Sequence, residues 1–80
     1  MRNAKDALLE VRSNTEFLNK EVTSKKWEWF VNTVSSATND SAMLNKEQEH
    51  YLLFLIAAHA VNGMTLVKVA SVATWINSCH

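Results

Sequence analysis

Apolar residues recur along this chain at helical spacing, in four runs separated by polar breaks. In the first, Ala4, Ala7, Leu8, Val11 and Leu18 share one face at about 100° per residue, and the run predicts a helix over residues 3–20 with Asn3 as its N-cap and Asp6 in its first turn. Leu9 and Phe17 lie off that stripe. In the second, Trp27, Phe30, Val31, Val34 and Ala37 keep the i, i+3, i+4, i+7 pattern and predict a helix over 24–38. Carried forward at about 100° per residue, the first stripe arrives out of phase with the second. One straight helix could not bury both, so a break is expected near Glu21–Ser24, with Thr23 or Ser24 as the new cap.

A third helix is predicted over 45–61. Asn45 and Gln48 have the spacing of a capping box, and Glu47 and Glu49 suit the positive end of the helix dipole. Tyr51 to Val61 is then apolar on every face apart from His59. Such a helix has to be covered on every side, which makes it the expected centre of the fold. Asn62-Gly63 is a stop signal. Thr65 can cap a fourth helix over 65–77, whose stripe is Leu66, Val69, Ala70, Ala73 and Ile76, widened by Val67, Val72 and Trp75. Between the second and third helices, Asn39, Asp40 and Ser41 predict a loop, with Met43 and Leu44 tucked back onto the domain. The fold class expected is all-α: one domain, 1–80, of four helices around a central apolar third.

Composition strengthens this reading. The 80 residues include no proline and one glycine, Gly63, too few turn-formers for a sheet of hairpins. A chain this short has a marginal core unless packing is dense or copies associate. The single cysteine, Cys79, forms no internal disulfide, and with no signal-peptide pattern at the N-terminus it points to the cytoplasm. The longest apolar run is well below the roughly 20 residues of a membrane span.

Charge then divides the chain. The formal net charge is zero, which argues against bulk attraction to nucleic acid or a membrane surface. From His50 to His80 only Lys68 is formally charged. That uncharged helix pair either forms the core of a monomer or keeps apolar surface open for a partner or a second copy. The face expected to be open is the outer side of the fourth helix, around Val67, Val72 and Trp75. Trp29 points away from the second helix's stripe and is a second candidate anchor.

Other chemistry is thinly supported. Lys25-Lys26-Trp27-Glu28-Trp29-Phe30 mixes cations and aromatics, as single-stranded nucleic-acid sites do, but Glu21 and Glu28 accompany them. The third and fourth helices with their glycine turn have helix-turn-helix spacing, which makes a DNA-binding regulator the alternative reading. The fourth helix, however, offers Lys68, Ser71, Thr74 and Asn77 and no arginine. Glu47-x-x-His50 has the spacing of a di-iron carboxylate motif, but its second copy is missing. Cys79-His80 reads as a frayed terminus and His59 as a core histidine. No catalytic, cofactor or metal residue is assigned, and none of these patterns points to an enzyme.

A chain of this size, with one charged half, one greasy half and few turn residues, resembles short accessory proteins of bacteriophages. Phe17-Leu18-Asn19-Lys20-Glu21-Val22, followed by Lys25 to Phe30, is similar to the cytoplasmic antiholin type. CRISPR-inhibitor proteins share the general look. The resemblance implies a non-enzymatic regulator or inhibitor acting by protein–protein binding, and it transfers no residue roles.

Overall fold

The computed structural model describes residues 1–16, 18 and 22–79. The fold is all-α: four helices, with one two-stranded sheet of minimal length among the described residues. In chain order the elements are β1 (Arg2–Asn3), α1 (Ala4–Ser13), α2 (Ser24–Ala37), β2 (Met43–Leu44), α3 (Lys46–Asn62) and α4 (Leu66–Ser78).

Each helix starts where a side chain can replace missing backbone partners. Asn3 accepts from Lys5 N–H at 2.9 Å, Thr23 from Lys26 N–H at 3.2 Å and Thr65 from Lys68 N–H at 3.4 Å. Asn45 and Gln48 form the full reciprocal box, with both bonds at 2.8 Å. Gly63 ends α3 at φ 109°, a conformation that favours glycine, and its N–H returns to His59 O at 2.8 Å.

α1 is shorter than its periodicity predicts. It ends at Ser13 rather than 20, because the Asn14 side chain competes with the helix there. The Ser13 hydroxyl donates to Leu9 O, Asn14 turns extended with its N–H on Val11 O, and the Asn14 side chain accepts from Glu16 N–H. The break thus comes well before Glu21. Phe17, Asn19, Lys20 and Glu21, which carry the rest of the expected helix, the expected start of the break and part of the phage-like stretch, lie outside the described residues, as does His80.

The loop over 38–44 is anchored at both ends. β1 and β2 pair antiparallel, with Arg2 opposite Leu44 and Asn3 opposite Met43. Leu44 is fully buried and Met43 half-exposed. Asn77 of α4 reaches the same segment twice: its side-chain oxygen accepts from Asn39 N–H at 2.9 Å, and its amide donates to Ala37 O at 3.2 Å. Arg2 bonds to Glu10 and, at 3.2 Å, to Glu49, tying the N-terminus to α3.

The core is built from Leu8, Trp27, Phe30, Val34, Leu44, Leu52, Ile56, Val72 and Ile76, all essentially without exposure. α2 packs on both α1 and α4, while α3 meets α1, α4 and β2 and touches α2 through His59, whose ring lies 6.0 Å from Phe30. α3 therefore contacts every other helix. It is not covered on every side, which corrects the expectation from its composition. The molecule is 16 Å across in its thinnest dimension, measured on Cα atoms. Packed helices are about 8–10 Å apart, so only two layers fit. α3 buries Leu52, Ile56 and Ala60 on its inner side and leaves the opposite side to solvent.

Candidate interaction surface

The uncovered side of α3 is apolar. Tyr51, Phe54, Ala58 and Val61 follow one another at i, i+3, i+7 and i+10 and lie on one face. Phe54 and Val61 are each 68% exposed and Tyr51 is 53% exposed. The chain then turns at Gly63 and presents Leu66 and Val67 at the start of α4, 67% and 75% exposed. Single exposed apolar residues are ordinary on protein surfaces. A stripe that runs along one helix and resumes across the turn is not, and contiguous patches of this kind mark interaction sites.

Val67, Val72, Trp75 and Trp29, the four residues expected at an interface, have different surroundings. Val67 is the most exposed residue of the patch. Val72 is a correction: it is 0% exposed and belongs to the core. The fourth helix carries two overlapping apolar stripes, and Val69, Val72, Ala73 and Ile76 are the ones buried, while Leu66 and Ala70 face out. Asn77 settles the rotation, since its two bonds to the 37–39 segment pin one side of α4 inward. Trp75 is half-buried against Tyr51, ring centroids 5.0 Å apart at 57°. That tilted pair joins α3 to α4 at the edge of the patch. Trp29 is 41% exposed on α2, its ring 6.4 Å from that of Phe30.

The residues missed from sequence are Tyr51, Phe54, Val61 and Leu66. The signal was present, because a helix apolar all round within an 80-residue chain demands more cover than three short neighbours provide. What periodicity could not supply was which side would stay bare.

A groove between α3 and α4 is lined by Tyr51, Leu55, His59, Ser71, Val72 and Trp75. Burial there pushes the His59 pKa below its usual 6.5, and the nearby Lys68 charge pushes the same way. The folded chain thus takes up this proton less readily than the unfolded chain, and stability rises with pH through the region below 6.5. The urea midpoint is expected to fall between about pH 7.5 and about pH 5.5. His59→Gln should flatten that fall; an unchanged slope would place the effect on another group.

The other reactive groups are quiet. Cys79 is half-buried, its Sγ 3.3 Å from Trp75 O, and burial raises its thiol pKa, which disfavours the nucleophilic thiolate. Glu49 and His50 line an open cleft of about 440 Å³ between α1 and α3, together with Glu10 and Lys46. Among the described residues no group of three His, Cys, Asp or Glu side chains is arranged to hold a metal ion, and no helix is long and apolar enough to cross a membrane. The outer side of α4 presents Leu66, Val67, Lys68, Ala70, Ser71 and Thr74, a single cation for a phosphate backbone. No protein-family model, curated protein or solved structure matches this chain.

Proposed function

We propose that this chain is a non-enzymatic regulatory or inhibitory protein that works by docking the open α3–α4 face onto a protein partner, in the cytoplasm. The observation that carries the reading is the uncovered stripe of Tyr51, Phe54 and Val61 with Leu66 and Val67 beside it. Burying apolar area is worth about 25 cal/mol per Å², so a patch of a few hundred Å² suffices to drive association once the entropic cost of binding is met. The near-absence of charge on this face means that shape and apolar contact set the affinity, with little long-range steering.

The test is affinity capture with the tagged chain against native lysate of its source, beside a Phe54→Asp/Val67→Asp double variant. Both positions are exposed, so the variant should keep the wild-type helical signal while losing the captured protein. Capture that survives both charges, or no capture by the wild type in any form including its own, would sink the reading.

A further inference from the structure

We propose that the occupant of this face is a second copy of the chain, docked by an antiparallel α3–α3 contact whose twofold axis passes between Ala57 and Ala58. The proposal rests on reading that face as a docking surface and names what covers it.

The stripe is self-complementary in this arrangement. Ala57 and Ala58 are small residues at the middle of the exposed run, Ala58 exposed and Ala57 partly so. Small side chains at a crossing let two helices approach closely. An axis there sets Phe54 of each copy opposite Val61 of the other, so these two well-exposed residues of one stripe pack on those of its mate. A twofold contact uses one patch twice, which is the commonest way soluble chains associate.

Charge selects the direction. Glu47 is exposed one helical turn before Tyr51, at the N-terminal end of the stripe. An antiparallel pair keeps the two Glu47 carboxylates at opposite ends of the contact and aligns the helix dipoles favourably. A parallel pair would set Glu47 against Glu47. An acidic or basic foreign segment would find no net charge on this face to recognise.

The area is sufficient. Taking roughly 100 Å² of exposed apolar surface for each of Tyr51, Phe54, Val61, Leu66 and Val67, the pair would bury about 1,000 Å² in total. That meets the lower bound of about 1,000 Å² for a biological interface and has the size of a weak, reversible one.

Two measurements on the full chain decide it. Sedimentation from about 1 μM to about 0.5 mM should show a monomer–dimer equilibrium. Phe54→Asp, which places its carboxylate twice in the contact, should weaken it at least about 100-fold with helicity unchanged by circular dichroism. Direction is read in a Cys79→Ser background: mixing Phe54→Cys with Val61→Cys chains should yield the mixed disulfide ahead of either homodisulfide. A strict monomer across the range, or a Phe54→Cys homodisulfide that outpaces the mixed one, would overturn the proposal. Monomeric chain that still captures another protein through Phe54 and Val67 would overturn the second copy alone and leave the docking reading standing.

Discussion

Trp27→Ala is expected to remove most of the stability of this domain. The indole is 1% exposed at the centre of the core, and it is the largest fully buried side chain. Truncating such a residue costs about 3–5 kcal/mol. For a chain of 80 residues, stability at about 0.05–0.15 kcal/mol per residue amounts to about 4–12 kcal/mol, so the loss is a large share of the whole and can exceed it. Trp27 also does more than fill space. Its Nε1–H donates to Val11 O at 3.3 Å, in the last turn of α1. The same carbonyl accepts the N–H of Asn14 at 3.0 Å, where α1 ends. One side chain of α2 thus meets a carbonyl in the last turn of α1, where helix carbonyls lack their i+4 partners. Trp27→Phe keeps much of the ring and loses the donor, and should cost less. Chemical denaturation followed by far-ultraviolet circular dichroism measures both. A Trp27→Ala midpoint close to that of the wild type would contradict the buried position of the indole.

This pair of helices also shows what could be read in advance. The α2 stripe was legible from its i, i+3, i+4, i+7 spacing, and four of its five members, Trp27, Phe30, Val31 and Val34, are buried, while Ala37 at the end of the helix is exposed. The caps at Asn3, Asn45, Gly63 and Thr65 were legible because each depends on two to four adjacent residues, and of the two candidates for α2 Thr23 is the cap while Ser24 is the first helical residue. The end of α1 was not legible, since Asn14 turns extended and its side chain accepts a local hydrogen bond that competes with an apolar period running on through Leu18. The rotation of α4 was not legible either. Its two stripes are of similar hydrophobicity, and the choice between them rests on Asn77 reaching a loop 38 positions earlier in the chain. That contact is tertiary, and the misplacement of Val72 follows from it. In α3 the difficulty is more basic: where nearly every position is apolar, the pattern carries no directional information, and only the two-layer architecture decides which residues are core.

That last point gives the second large effect, a contrast between two residues two positions apart on one helix. Leu52 is 0% exposed on the inner side of α3, and Phe54 is 68% exposed on the outer side. Leu52→Asp must either bury a carboxylate without a partner or expel it by opening the core. Either route adds the desolvation penalty to the loss of packing, which for a buried leucine is already about 2–5 kcal/mol when truncated to alanine. The variant is expected to be unfolded or to melt far below the wild type. Phe54→Asp puts the same carboxylate into water, where it needs no partner, and the free chain should keep its stability to within about 0.5 kcal/mol, as surface substitutions do. Its effect should fall on association instead. Side-chain size alone would rank phenylalanine as the more damaging residue to replace, and so would a helix covered on every side. If the two variants melt alike, α3 is enclosed and the open face does not exist. If Leu52→Asp unfolds while Phe54→Asp folds and loses binding, one face of α3 serves the fold and the other serves the partner.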